Sequence, residues 1–227
     1  MIRHTFDMTH PIWPLFDLRV RTPRLELRYI DDELGVALAR LAAEGVHEPG
    51  YMPFAIPWTE ATSPLLERNT LQFYWRCRAE LTAASWNINF AALVDGIVVG
   101  TTGLMAHDFA TLRVFETGSW LGRAHQGQGL GKEMRLAALQ LGFVGFDALW
   151  ATTSAWVDNG PSLGVTGSLG YIHTGHRRSV RQSEPGQLRT FEMSRDDFTA
   201  RLQRDDISLH GVEPCLPMLG LDQLGPA

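Results

Sequence analysis

Ten residues of this chain, Arg123-Ala124-His125-Gln126-Gly127-Gln128-Gly129-Leu130-Gly131-Lys132, combine glycine freedom with two cations and apolar spacing. An alternating stretch from Leu112 to Leu121 precedes them, and apolar residues at helical spacing follow through Phe143. A strand feeding a glycine-rich turn that opens a helix over 129–145 is therefore expected. Without Cβ atoms the turn bends tightly and lets a ligand approach the backbone. The first helical amides have no intrahelical acceptor, so they and the helix dipole suit a phosphate or pyrophosphate.

Three phosphate loops compete for this stretch. A Walker loop requires glycine five residues before the Gly-Lys pair and a hydroxyl after it. Here Gln126 and Glu133 occupy those positions. A dinucleotide fingerprint requires G-x-G-x-x-G, and Lys132 stands at the last glycine. The pattern that fits is Gln-x-x-Gly-x-Gly, Gln126 to Gly131, which resembles the pyrophosphate loop of the GNAT superfamily of acyltransferases. The flanks agree in order. Glu116 to Gly122 resembles that fold's fourth strand, and Asp158-Asn159-Gly160-Pro161-Ser162 with Leu169-Gly170-Tyr171 and Gly175 resembles its "N..S…LGY…G" segment. Thr22 to Arg28 resembles the first strand of the Rim-type branch, the ribosomal-protein N-acetyltransferases.

This resemblance implies an α+β chain: a single-domain GNAT fold over 1–227, with a mixed, mostly antiparallel sheet of about seven strands flanked by helices in three layers. Residues 1–21 would be an N-terminal extension and 205–227 a C-terminal tail. It implies an acyl-CoA-dependent N-acyltransferase, with acetyl-CoA by default and succinyl-CoA as the alternative donor. The acyl group would pass to a primary amine (a protein N-terminus, a lysine or a small molecule) by direct attack in a ternary complex. Trp120, Leu121 and Gly122 would bond the pantetheine arm through their backbone, and a backbone N–H near Leu121 would polarise the thioester carbonyl. Gln126, Gly127, Gln128, Gly129, Leu130, Gly131 and Lys132 would hold the pyrophosphate, with Arg123 adding charge. An amine attacks only when neutral, so a base is required. Glu116 is the first candidate; its plainer role is an exposed strand carboxylate. Asn159 and Ser162 stand where the family contacts the acyl donor, Ser162 within reach of the sulfur, yet Asn-Gly-Pro-Ser is also a good helix cap without a ligand. Tyr171 matches an aromatic that packs more often than it donates a proton. The motif segments hold no cysteine, so a covalent acyl-enzyme is not indicated. A CoA-binding regulatory or interaction module without catalysis is the alternative, and Glu116 buried in an ion pair would favour it.

Composition narrows the class. With 227 residues, 44% apolar, the chain suffices for one substantial core. A net charge of −5 argues against a nucleic-acid surface and would suit a cationic acceptor, though ordinary solubility explains it as well. Cys77 and Cys215 are far apart and form no C-x-x-C, so a reducing, cytoplasmic setting and no metal cluster are expected. The start, with Arg3, His4, Asp7, His10 and Asp17, lacks a signal peptide's apolar run, and no stretch approaches the ~20 residues of a membrane helix. Ile12 to Phe16 and the Leu/Pro-rich tail are apolar enough to pack on the body or to form a dimer or trimer contact.

Elsewhere the pattern predicts a strand through Leu25, Leu27 and Tyr29, then a helix capped at Asp31-Asp32 and ended by Gly45. A stiff Pro/aromatic loop (46–60) and a helix over 63–81 follow. Strands 86–93 and 97–105 meet at Asp95-Gly96, and a strand over 149–156 leads into a helix over 161–168. A closing hairpin is expected around Glu184-Pro185-Gly186, then a helix over 196–204. His173 and His176 should point to opposite faces of a strand, which disfavours a metal site. His125 either touches phosphate or spaces the loop. Arg177, Arg178 and Arg181 form a basic run, and Trp13, Phe54, Trp58 and Trp86 are candidates either for core or for an acceptor wall.

Overall fold

The computed structural model describes residues 10–221. The first residues, Arg3, His4 and Asp7 among them, and the end of the tail (222–227) lie outside the described residues. Short β1 (Arg19–Arg21) and β2 (Glu26–Tyr29) lead into α1 (Asp32–Glu44). Its start is fixed by Asp31, whose side chain accepts the Leu34 N–H, and Gly45 ends it at φ 116°. A loop with one 3₁₀ turn (Trp58–Glu60) reaches α2 (Leu65–Ala79), after which β3 (Ser85–Val94) and β4 (Ile97–His107) form a hairpin. Asp95 and Gly96 both take positive φ in that turn, as a two-residue hairpin demands. A single helical turn, α3 (Phe109–Leu112), precedes β5 (Val114–Leu121), and α4 (Leu130–Gln140), β6 (Trp150–Trp156), α5 (Gly160–Ser168), β7 (Ile172–Arg181), β8 (Glu184–Ser194), α6 (Arg195–Arg201) and β9 (Ser208–His210) complete the chain.

One sheet runs β7-β8-β6-β5-β4-β3-β2-β1-β9. Every adjacent pair is antiparallel except β5 with β6. The main core lies on the α4 face. Phe90, Phe109, Phe115, Phe146 and Phe198 are fully buried there with Leu104 and Met134. At about 1.5–3 kcal/mol per large apolar side chain removed from water, this layer dominates stability. The opposite face carries α1 and α2 over a smaller cluster of Ile30, Leu38, Tyr74, Ala91 and Leu93. Along β5 the alternation divides the two layers: Phe115 joins the α4-side core, while Trp120 packs under α1 and α2.

The sheet has nine strands where seven were expected. The additional ones, β1 and β9, are three residues each and pair with each other, Val20 opposite Leu209. Too short to show periodicity, they are held by burial of Val20 and by their neighbours Leu15, Leu18 and Ile207. Much of the apolar content of the two end segments packs on the body, where Leu15, Leu18, Cys215, Leu219 and Leu221 are all buried, while Ile12 stays exposed. Three boundaries also move. The strand expected from Leu112 starts at Val114, because Arg113 adopts a left-handed conformation after the α3 turn. The long helix expected to Gly145 is α-helical only to Gln140 and continues as a π turn over Leu141–Gly145. Gly142 there lies against Phe115, where a Cβ would sit 2.2 Å from the ring. The closing hairpin turns at Gln182-Ser183, both at positive φ, so Glu184-Pro185-Gly186 belong to β8.

Candidate active site

The feature that opens the sheet is the divergence of β5 from β6. They pair only over Val114–Glu116 with Trp150–Thr152, although β5 continues to Leu121 and β6 to Trp156. On its other side β5 pairs with β4 over the whole of this stretch, from Glu116 opposite Met105 to Leu121 opposite Gly100. Residues 117–121 thus present a strand edge to a wedge-shaped cleft. That edge is the kind of backbone that an extended ligand can join as an added strand.

The glycine-rich turn closes the wide end of this cleft. A 3₁₀ turn (Arg123–His125) follows Gly122, and Gly127 (φ 73°) and Gly129 (φ 78°) take left-handed conformations that favour glycine. Gly129 is the N-cap of α4 and gives it no side-chain acceptor, so the first amides of the helix keep their capacity for an anion. Gly127, Gln128 and Lys132 are exposed, as is Arg123. Gln126 is engaged otherwise: its amide donates to the carbonyls of Val46 (2.6 Å) and Leu121 (2.9 Å), tying the 46–60 loop to the end of β5. Gln128 donates to Ala124 O, and His125 closes the 3₁₀ turn by donating its backbone N–H to Gly122 O. Leu130 is buried and Gly131 lies under Leu121 and Val165, so these two anchor the turn.

Across the cleft, Asn159 caps α5 by accepting the Ser162 N–H at 3.2 Å, which leaves its amide N–H groups unengaged among the described residues. Ser162 occupies the first turn of that helix and is partly exposed. Tyr171 is buried, and burial pushes its hydroxyl pKa up despite the nearby Arg135 and Thr117.

Glu116, Gly118 and Trp120 face the α1/α2 side. Glu116 is exposed and receives a hydrogen bond from Ser154 Oγ at 3.4 Å; among the described residues it forms no ion pair. Beyond Trp120 the aromatic chain continues to Trp58 (5.8 Å between centroids), Phe54 (5.2 Å) and His47 (6.0 Å). Arg181 crosses to this region from β7. It grips Asp158 with both terminal nitrogens (2.9 and 2.8 Å), lies over the Trp156 ring and reaches Met52 O. The hydrogen bonds from Arg181 hold the Asp158 carboxyl below the usual carboxylate range. Arg181 is therefore a clamp, distinct from exposed Arg177 and Arg178. Trp86 is core beside Phe109, and Trp13 packs on the main core with its N–H on Tyr29.

Two arginines at the cleft were not singled out in the sequence. Arg24 donates to Gln128 O at 3.1 Å and pairs with Glu133, which also receives the Thr22 hydroxyl. Burial works to raise the Glu133 carboxyl, but those hydrogen bonds and the Arg24 charge outweigh it and hold it low. Arg135, on α4, lies beneath the cleft. The only hint was its place on the stripe shared with Leu136 and Leu139, where a cation is out of pattern. His173 and His176 also depart from expectation. A bulge between His173 and Gly175 brings the rings to 4.9 Å, against the strict alternation that would separate them. No group of three metal-capable side chains is found among the described residues.

Residues 24–172 match the family model for the acetyltransferase (GNAT) domain. The RimL ribosomal L7/L12 alpha-N-protein acetyltransferase, solved in complex with coenzyme A, has a TM-score of 0.65 at 15% identity, covering 76% of this chain and 95% of that one. RimJ of Mycobacterium smegmatis, in complex with CoA-disulfide, gives 0.64 at 18%, covering 81% and 92%. A GCN5-related N-acetyltransferase from Brucella melitensis gives 0.65 at 17%, covering 80% of each. At these identities the likeness is one of fold, and the family rests on the domain match: this chain belongs to the GNAT acetyltransferases.

Proposed function

We propose that this protein transfers an acyl group from a coenzyme A thioester to a primary amine, within a ternary complex and without a covalent acyl-enzyme. The observation that carries the reading is the edge of β5 over 117–121, which β6 does not pair, ending at a left-handed glycine turn that caps α4. The fit to coenzyme A is physical. An extended, amide-bearing pantetheine arm matches a free strand edge, and a pyrophosphate matches the helix start, with Lys132, Arg123 and Arg24 as cations. RimL and RimJ were each solved with a CoA species, which supports the same ligand here. When bound, the thioester supplies an activated carbonyl.

This chain's residues do the rest. The backbone of Trp120, Leu121 and Gly122 aligns the arm, and an N–H near Leu121 polarises the carbonyl. Gln126 fixes the strand end that does so, by bridging Leu121 to Val46. Asn159 orients the arm with its unengaged amide, and the Ser162 hydroxyl serves the departing sulfur. Glu116 takes the amine's proton, directly or through water. Its exposure and freedom from ion pairs favour catalysis over the non-catalytic CoA-binding module. The acceptor enters over the α1/α2 face, past Phe54, Trp58 and Trp120, where aromatic faces and Glu116 suit an amine on an apolar stem.

Isothermal calorimetry with CoA, followed by an amine screen with acetyl-CoA that includes peptide N-termini, tests the reading. Micromolar binding and N-acylated product are expected. Absence of CoA binding sinks it, and binding without turnover on any amine returns the regulatory module.

A further inference from the structure

We propose that Arg135 makes the acyl end of this cleft a carboxylate subsite, so that the preferred donor is the CoA thioester of a short dicarboxylic acid, of the succinyl type. The inference rests on the acyl-transfer reading above and adds the class of the acyl group. Arg135 is only 4% exposed, and among the described residues no carboxylate pairs with it. A buried guanidinium without a counter-charge is costly unless something offsets it. Its two hydrogen bonds go to neutral hydroxyls on the two diverging strands, Nη1 to Thr153 Oγ1 at 3.1 Å and Nη2 to Ser119 Oγ at 3.3 Å. Its Nε is buried with no partner, as are Thr117 Oγ1 and Tyr171 Oη.

The position selects the ligand. Thr153 is one residue beyond the last β5/β6 pair, so the guanidinium spans the narrow end of the wedge, opposite the glycine turn at its wide end. A ligand seated with its phosphates at the turn and its thioester carbonyl on the N–H near Leu121 extends its acyl chain along the β5 edge past Ser119, toward this end. Ser119, bonded to Arg135, is exposed, so the cation's surroundings open into the cleft. An acetyl methyl offers nothing to a cation with unused N–H groups and leaves the charge uncompensated. A terminal carboxylate supplies the missing charge and accepts a forked guanidinium. The buried Tyr171 and Thr117 hydroxyls are further polar groups beside that cation.

Calorimetric titration of the full chain with CoA, acetyl-CoA, succinyl-CoA and the neutral butyryl-CoA tests this. A charge-assisted contact should make succinyl-CoA bind at least about tenfold tighter than acetyl-CoA or butyryl-CoA. Arg135→Met should bring that ratio near one and Arg135→Lys should keep part of it, each checked for folding by circular dichroism. Equal wild-type affinity for the three thioesters overturns the subsite and leaves acyl transfer standing, and this readout needs no variant. A ratio unchanged in Arg135→Met also overturns it, whereas failure of all four ligands, CoA included, overturns the acyl-transfer reading itself.

Discussion

On the edge of β5 that faces the cleft, the groups offered to a ligand are mostly backbone: a strand edge over 117–121 that β6 does not pair, two left-handed glycines and the first amides of α4. On the α1/α2 side of the same strand they are side chains drawn from distant segments: Phe54 and Trp58 from a loop, Glu116 and Trp120 from β5, Ser154 from β6 and Arg181 from β7. A backbone cradle depends on shape and is indifferent to most side chains outside its glycines. A side-chain wall depends on identity and can change acceptor without changing the fold. The two sides should therefore fail differently when mutated.

The largest effect is expected at the one acceptor-side group that would move a proton. Glu116→Gln should lower kcat near neutral pH by about 10²–10⁴, the usual contribution of a general base, while calorimetry shows CoA affinity unaltered. Undiminished turnover removes Glu116 from the mechanism. A drop in CoA affinity of the same size would instead erase the distinction between the two sides. Next comes the cradle. Gly129→Val forces a β-branched residue into a left-handed conformation, with its Cβ about 3.4 Å from the Arg24 guanidinium. Strain of about 1–3 kcal/mol at the turn corresponds to roughly fivefold to hundredfold weaker CoA binding. Amine KM measured at saturating thioester should stay near the wild-type value. If binding is unharmed, the phosphates do not sit at this turn.

Asn159 has both a structural and a ligand role to lose. Asn159→Asp keeps the side-chain oxygen that accepts the Ser162 N–H but loses the amide donor. Asn159→Ala loses both and should cost about 1 kcal/mol of stability through the cap. If the amide orients the pantetheine arm, the aspartate variant melts like the wild type yet binds CoA several-fold more weakly, by about the 0.5–1.5 kcal/mol of one neutral hydrogen bond. Wild-type affinity in that variant would reduce Asn159 to a helix cap.

The same contrast explains what could be read from the sequence. The cradle is contiguous, so Gln126 to Gly131 and the strand before it were visible together, and with them the family and the layered α+β fold. The Asp31 cap and the Asp95-Gly96 turn were equally local. Other features depended on tertiary partners. β1 and β9 are three residues long and exist because each completes the other's hydrogen bonds. The hairpin turn moved to Gln182-Ser183 because two residues accepted positive φ without glycine, while Pro185 was tolerated within β8 because β6 pairs that strand only from Leu188 onward. The proximity of His173 and His176 depends on a bulge no residue type announces. Arg24 and Arg135 read as a strand cation and a helix cation, and only packing set them at the two ends of the cleft.

The smallest expected effect lies at the Arg181–Asp158 clamp. It ties the β7/β8 hairpin to the segment before α5 and, through Met52 O, to the aromatic loop. Arg181 holds the Asp158 carboxyl below its usual value of 3.8, so the pair stabilises the fold above that pH, and the contribution is lost as pH falls through the lower folded value. Asp158 is 46% exposed, and solvent screening limits the contribution to about 1 kcal/mol or less, roughly 2–4 °C in a chain of this size. Asp158→Asn should therefore melt slightly below the wild type at pH 7, and the difference should shrink toward zero below pH 3. Because the clamp steadies the side-chain wall and not the cradle, the same variant should raise the amine KM while CoA affinity holds. A thermal-melt difference that persists at low pH would show that the ion pair is not its source, and a rise in CoA Kd larger than in amine KM would place the clamp on the cofactor side of β5.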